Sequence, residues 1–173
     1  IIKLTNFIVT NLKIKNTVID FSVPSLMIHL QKLINFNTVE GKIIKEGIEN
    51  KDPGLITLKK YNYIKNIIDC SGEFNVAKNN FRNFIFPVKI KKILDKFFNT
   101  IEYIKKNNSK ISISVDISEG NSFLNYQNLG FKVYNRDDSN VIAIGGDYVL
   151  SNKELGMGIT LIINNICKAF KYK

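Results

Sequence analysis

Cysteine and histidine are scarce in this sequence, and their scarcity excludes several kinds of site. The chain of 173 residues contains two cysteines, Cys70 and Cys167, and one histidine, His29. A zinc site needs several such ligands at close spacing, so the sequence predicts no zinc site. The two cysteines lie far apart in apolar helical contexts, which favours buried thiols over a disulfide or a nucleophile.

The sequence also lacks a long hydrophobic run and a usual N-terminus. No apolar stretch approaches the roughly 20 residues of a membrane-spanning helix, so no membrane insertion is predicted. The first residues, IIKLTNFIVT, contain no Met and do not follow the charged-then-apolar order of a secretion signal. We therefore expect a cytoplasmic protein whose sequence here begins inside a longer chain or without its natural start.

Arginine is nearly absent although the chain is strongly basic. The net charge is +10, yet the only arginines are Arg82 and Arg136. Lysine, asparagine and isoleucine are abundant throughout, a composition typical of AT-rich genomes, and they spread the positive charge instead of concentrating it. Proteins that recognise DNA bases favour arginine, because its planar donors match guanine. Nucleic-acid binding is therefore left open as a function but is not favoured.

Hydrophobic periodicity changes along the chain and predicts an α+β fold. After an expected strand at 17–22, apolar residues follow helical spacing up to Lys106, with one continuous helix predicted from Pro53 to Ile68. The pattern then alternates, as in KISISVD at 110–116, which is typical of a strand. Further strands are expected at 129–134, 141–144 and 155–159, followed by a helix through Phe170. We expect one domain over residues 1–173, a mostly antiparallel sheet flanked by helices, with a helical insertion at about 24–106.

Glycines recur at two points of the C-terminal strands. Gly145 and Gly146 interrupt the run VIAIGGDYV, and Gly156 and Gly158 alternate in LGMGI just before the last helix. Glycine weakens a strand interior, so in a strand it commonly marks close approach by a ligand or another backbone. We expect these glycines either to line a ligand pocket or to serve only packing. No phosphate loop, nucleophile elbow or metal motif accompanies them.

The order of short motifs in the C-terminal part resembles that of a known enzyme class. The segment DISEGNSFLNYQNLGF at 116–131, the pair Gly145-Gly146, the triplet Gly156-x-Gly158 and the last helix are similar to the C-terminal half of a class II aminoacyl-tRNA synthetase core of the histidyl type. The chain more closely resembles the regulatory subunits of ATP phosphoribosyltransferase, catalytically inactive paralogues of histidyl-tRNA synthetase in histidine biosynthesis. The segment TVIDFSVPSLMIHL is similar to a strand-Pro-helix segment of their alphaproteobacterial form. The resemblance covers nearly the whole chain but only part of the family's core, whose motifs 1 and 2 would lie before Ile1.

The arginines of the family's catalytic motifs are missing from this sequence. Asn121 stands where the synthetases have a catalytic Arg, and Asp147 replaces the Arg of a Gly-Gly-Arg-Tyr motif. The Glu-Arg pair that follows Gly-x-Gly in motif 3 is absent from 161–163. Adenylate formation needs fixed positive charge over phosphates and a carboxylate, which arginine provides with bidentate geometry. The resemblance thus implies a non-catalytic protein, and we expect the Asp147 carboxylate to repel an anion at the glycine pair.

The resemblance implies a regulatory subunit that binds the catalytic subunit of ATP phosphoribosyltransferase and could bind L-histidine. The positions that would form the ligand site are Glu119, Asn121, Tyr126, Gly145, Gly146, Tyr148, Gly156 and Gly158. No catalytic residue, metal or cofactor is predicted. The alternatives are a degenerate synthetase paralogue repurposed for protein or tRNA binding and, ranked last, an active synthetase whose arginines come from elsewhere.

Overall fold

The computed structural model describes residues 1–108, 111–119, 126–137 and 139–171. The helices are α1 (Ile2–Asn11), α2 (Pro24–Leu33), α3 (Val39–Glu49), α4 (Asn62–Asp69), α5 (Phe74–Asn83), α6 (Val88–Lys106) and α7 (Ile163–Lys171). The strands are β1 (Thr17–Ser22), β2 (Gly72–Glu73), β3 (Ser112–Val115), β4 (Gly130–Asn135), β5 (Val141–Val149) and β6 (Leu155–Leu161). Within these ranges, no helix combines the length and the apolar character needed to span a membrane.

The strands form one six-stranded sheet in the order β2-β3-β1-β4-β5-β6. β1 and β3 run parallel, and the other neighbouring pairs are antiparallel. The predicted α+β fold with a mostly antiparallel sheet is confirmed. Two parallel neighbours require a crossover connection, and the helical region between β1 and β3 forms it, with β2 added at the sheet edge.

One face of the sheet, the core face, packs against helices. Alternation in β1, β3 and β4 places Phe21, Val115, Phe131 and Val133 on this face, all of them buried. The rings of Phe21 and Phe131 lie 6.0 Å apart between centroids. α6 supplies the buried residues Ile90, Leu94, Phe97, Phe98 and Ile101, at the helical spacing seen in the sequence. The opposite face of the sheet is therefore the one that can carry polar chemistry.

Strand β5 continues through the glycine pair to Val149, although the sequence predicted an end at Ile144. Gly145 pairs with Phe131 on one side and Ile159 on the other, and Gly146 pairs with Gly130 and Gly158. Strand propensity depends strongly on tertiary context. In β5, hydrogen bonding to a strand on each side offsets the low strand propensity of the glycines.

The predicted continuous helix from Pro53 to Ile68 is wrong. Two 3-10 turns, Pro53–Leu55 and Lys59–Tyr61, precede α4. The Asp52 side chain accepts a hydrogen bond from the backbone N–H of Gly54 at 2.8 Å, which closes a local turn. Glycine at 54 and β-branched threonine at 57 are poor helix formers, so the local bonds prevail.

The two cysteines differ in their surroundings. Cys70 is buried, as predicted, whereas Cys167 is exposed, so the prediction is wrong for the second thiol. Burial raises the pKa of the Cys70 thiol to about 12, which keeps it protonated and a poor nucleophile at neutral pH. In α7 the preceding residue, Ile166, is buried. The next position lies about 100° around the helix, which turns Cys167 towards solvent.

Candidate functional site

The face of the sheet opposite the core face, the polar face, carries hydrophilic side chains on its central strands. Asp20 of β1 lies between Ser114 of β3 and Lys132 of β4 in the sheet register. Farther along the same row, Ile144 of β5 is followed by Thr160 of β6. A charged residue in the middle of an otherwise apolar strand is unusual. Here three neighbouring strands, β3, β1 and β4, each contribute a polar side chain to the same row.

Asp20 lies at the centre of this face. Its carboxylate accepts a hydrogen bond from the Ser114 hydroxyl at 2.5 Å, and the Tyr134 hydroxyl lies 3.4 Å from the same Ser114 oxygen. Burial raises the pKa of Asp20 to about 6 from an ordinary value of 3.8. The Ser114 hydrogen bond opposes this rise, nearby Asp116 adds to it, and the two closest lysines lower the pKa again. Asp20 is therefore ionised at neutral pH but readily protonated below it.

Two ion pairs flank Asp20. Lys132 bonds to Glu119 at 2.7 Å, with both side chains mostly buried, and Lys51 bonds to Asp116 at 2.6 Å. The Ser118 hydroxyl donates to the other oxygen of Asp116 at 2.8 Å. Burial lowers the pKa of Lys51, but the hydrogen bond and charge of Asp116 outweigh it, so the net pKa is raised. Among the residues described on this face, three carboxylates thus face two ammonium groups, which leaves an excess of negative charge when Asp20 is ionised.

The glycines of β5 and β6 make room for aromatic rings. A Cβ on Gly146 would lie 2.7 Å from the Tyr126 ring, and a Cβ on Gly156 would lie 2.7 Å from the Tyr148 ring. The Tyr148 ring also covers Gly158, at 3.2 Å from a Cβ there. Burial raises the pKa of Tyr126, and the neighbouring Tyr148 hydroxyl adds to it. These two tyrosines, with Gly158 and Thr160, line an open cavity of about 700 Å³.

Asp147 faces away from this cavity. One carboxylate oxygen accepts the backbone N–H groups of Asn128 and Leu129 at 2.8 and 2.6 Å, and the other accepts the Asn128 side-chain amide at 2.9 Å. Side chains alternate along a strand, so Asp147 shares the core side of β5 with Gly145, while Tyr148 lies on the polar side. The carboxylate thus binds the loop before β4, and the expectation that it repels an anion at the glycine pair stays a prediction.

The structure brings most of the predicted ligand residues to the polar face. Glu119, Tyr126, Tyr148 and the glycines 146, 156 and 158 lie there. Gly145 points to the core face, where a Cβ would lie 2.3 Å from the Phe131 ring. Asn121 lies outside the described residues. Whether these positions bind a ligand stays a prediction.

Several polar-face residues were not predicted from the sequence as site residues. They include Asp20, Ser114, Lys132, Tyr134 and Lys51. An Asp inside TVIDFS and a Lys inside GFKVY were the available signals, because a charge in mid-strand is costly unless it is paired or functional. Among the described residues, no group of His, Cys, Asp and Glu could hold a metal ion.

Residues 1–166 match the family model described as histidyl-tRNA synthetase. The chain belongs to the histidyl-tRNA synthetase family. No curated protein matches the sequence. Among solved structures, the chain resembles the "ATP phosphoribosyl transferase (HisG:HisZ) complex" from Thermotoga maritima, with 18% identity, a TM-score of 0.62 and coverage of 84% of this chain and 53% of that one. It also resembles an "ATP phosphoribosyltransferase regulatory subunit/histidyl-tRNA synthetase" from Bacillus halodurans C, with 14% identity, a TM-score of 0.67 and coverage of 96% and 48%.

The TM-scores to these two structures show a common fold. The chain spans about half the length of each. In this member of the histidyl-tRNA synthetase family, neither arginine lies on the polar strands. Arg82 is in α5, and Arg136 follows β4, where its backbone N–H donates to Asn16. The cations that the structure places on the polar face are Lys51 and Lys132, and each is bound to a carboxylate.

Proposed function

We propose that this chain belongs to a non-catalytic regulatory subunit of ATP phosphoribosyltransferase, which binds the catalytic subunit in the histidine pathway. The observation that carries the proposal is a synthetase-type polar face whose lysines are already paired with carboxylates. The names of the two similar structures support it, since one is a complex of that transferase and the other includes its regulatory subunit. Such a biosynthetic subunit would work in the cytoplasm.

The charges of the polar face argue against adenylate chemistry. Stabilising the transferring phosphates of ATP requires cations that are free to contact them. Lys51 and Lys132 instead neutralise Asp116 and Glu119, and Asp20 adds a further negative charge near pH 7. A triphosphate placed over these residues would meet repulsion. We therefore infer that the described part of this face does not catalyse aminoacylation.

The negative charges of the polar face would attract the ammonium group of an amino acid. Asp20 and Glu119 supply carboxylates on this face, and Tyr126 and Tyr148 line the open cavity farther along it, towards β6. The Ser22 hydroxyl, also on β1, is buried and has no hydrogen-bond partner among the described residues. A buried unpaired hydroxyl in a native protein calls for a water or a ligand group. We propose L-histidine as the ligand, bound for regulation.

Two binding measurements test the proposal. Calorimetry of this protein with the purified catalytic subunit is expected to show a stable complex, and titration with L-histidine is expected to raise the melting temperature by mass action. Imidazolepropionic acid, which lacks the ammonium group, is the matched control and should not bind. Failure to bind the catalytic subunit would overturn the proposed role, whereas failure to bind histidine alone would remove only the sensing function.

A specific observation favours a second candidate function. Tyr126 and Tyr148 cover the glycines where a ligand would otherwise approach the backbone. This covering is consistent with a synthetase paralogue that has lost its small ligand and now binds a protein or tRNA. With a net charge of +10, binding to tRNA would weaken steeply with salt. Salt-sensitive tRNA binding, without association with the catalytic subunit, would favour this second candidate.

A further inference from the structure

A groove on the core side of the sheet, the α6–β6 groove, is separate from the polar face. It has a volume of about 370 Å³ and lies between α6, the beginning of β6 and the first residues of α2. Its apolar lining residues are Val23, Ile93, Phe97, Leu129, Leu155 and Met157. Unlike the polar-face cavity, this groove is mostly apolar and suits the side chains of a protein partner.

The β6 wall of the groove exposes large apolar side chains. Leu155 is 72% exposed and Met157 is 44% exposed, on a strand at the edge of the described sheet. Adjacent exposed apolar side chains of this size commonly mark an interaction site. Edge strands are usually protected by charge or by a covering element.

The α6 wall carries two positive charges. Lys92 and Lys96 are exposed one helical turn apart, and no described residue forms a hydrogen bond or an ion pair with either ammonium group. Two other lysines of α6 are engaged: Lys91 bonds to Asp95 at 3.1 Å and Lys105 bonds to Asn75 at 2.7 Å. Lys92 and Lys96 thus place two open ammonium groups at the border of the apolar groove.

The groove keeps a net positive charge, although one carboxylate lines it and offsets one lysine. Asp147 is the acidic residue that lines it, and both of its oxygens accept hydrogen bonds from Asn128 and the Leu129 backbone. A second cavity shares Ser25 and Ile93 with the groove and adds Lys32. A partner lying along both cavities would therefore meet three lysines and one engaged carboxylate.

We propose that the α6–β6 groove binds an acidic amphipathic segment of the catalytic subunit. The apolar side chains of that segment would cover Leu155, Met157 and Phe97, and its carboxylates would pair with Lys92 and Lys96. This inference rests on the proposed function, because it assigns a surface to the partner named there. A small anion would satisfy the lysines but would leave the apolar wall exposed, so a protein segment fits both features.

The test measures binding of the purified catalytic subunit by calorimetry over a range of salt concentrations. The double variant Lys92→Glu and Lys96→Glu is expected to weaken association at least about tenfold and to reduce its salt dependence. Leu155→Glu, at a mostly exposed position, is expected to weaken binding as well. The matched control, Lys3→Glu with Lys42→Glu, changes the same net charge at exposed lysines of α1 and α3. Thermal melts check that all variants are folded.

The outcomes separate this inference from the proposed function. If the wild-type protein binds the catalytic subunit and the groove variants bind equally well, the groove assignment is overturned while the regulatory role stands. An equal loss in the control variant would show a general charge effect and would also overturn it. If the wild-type protein does not bind the catalytic subunit, the proposed function fails and the groove assignment falls with it.

Discussion

The core face of the sheet is stabilised by packing, whereas the polar face is held by hydrogen bonds and ion pairs between its own side chains. Neighbouring residues of the same strands supply both faces, for example Phe21 and Asp20 on β1, and Phe131 and Lys132 on β4. Packed rings tolerate little change, because a lost ring leaves a cavity. Paired charges in partial contact with water adjust more easily. Substitutions on the two faces should therefore differ in size and in pH dependence.

The largest effect is expected for Phe131→Ala on the core face. The ring is fully buried against Phe21, and its removal should lower the free energy of unfolding by about 3–5 kcal/mol. Urea denaturation followed by circular dichroism measures the change. The control is Tyr134→Phe on the polar side of the same strand, which removes only a hydroxyl. Equal losses in both variants would contradict the difference between the faces.

A pH-dependent effect is expected for Asp20→Asn. The folded-state pKa of about 6 exceeds the ordinary 3.8, so the folded state holds the proton more tightly than the unfolded chain. Binding of this proton stabilises the folded state by at most about 3 kcal/mol. That contribution is complete below pH 4 and is lost as the pH rises through 6. The free energy of unfolding of the variant, relative to that of the wild type, should therefore increase from pH 4 to pH 7. Denaturation curves with a constant difference across that range would refute this explanation.

A smaller loss of stability is expected for glycine substitutions in the β5–β6 pair, and the loss should differ between the two positions compared. In Gly145→Ala the new methyl group would meet the Phe131 ring at 2.3 Å and the Gly158 carbonyl oxygen at 2.6 Å, so we expect a loss of about 1–3 kcal/mol. In Gly156→Ala it would meet the Tyr148 ring, which borders an open cavity and has room to turn away. The second loss should be below about 1 kcal/mol. A larger loss for Gly156→Ala in thermal denaturation would reverse the expected order.

The smallest effect is expected for Lys51→Met. The Lys51 side chain is 53% exposed, and Asp116 keeps the hydrogen bond from Ser118. The Asp116 side chain is 10% exposed, but the lysine half of the pair is solvated and the Ser118 bond remains, so the free energy of unfolding should change by less than about 1 kcal/mol. Urea denaturation at low and high salt checks this value. Global unfolding of the variant would show that the pair is a structural requirement.

Local periodicity predicted much of the fold. Alternation in KISISVD and TVIDFS predicted β3 and β1. In a half-buried strand, apolar and polar residues alternate with a period of two, and this pattern does not depend on which strands it pairs with. The helix at 53–68 was predicted wrongly, because a turn closed by Asp52 replaced it. The single domain with a helical insertion stays a prediction, although the sheet order shows that residues 24–106 connect two parallel strands.

The candidate site was predicted only in part. The glycine positions and the tyrosines stood out in the sequence, yet Asp20 and Ser114, which are 94 positions apart, meet only through the parallel pairing of β1 and β3. Asp147 was assigned to the ligand side because it replaces a motif arginine. The pleat of β5 sends it to the opposite side, where it binds the loop at Asn128.

Composition and periodicity, which need no knowledge of long-range contacts, determined the α+β pattern, the strand glycines and the lack of arginine for phosphate chemistry. The tertiary structure decided which face each strand residue occupies, how far burial raises the pKa of Asp20, and which lysines lack a partner. Burial and Coulomb interactions depend on distances between residues that are remote in the chain. For that reason the paired charges of the polar face and the open lysines of the α6–β6 groove become distinguishable only in the folded protein.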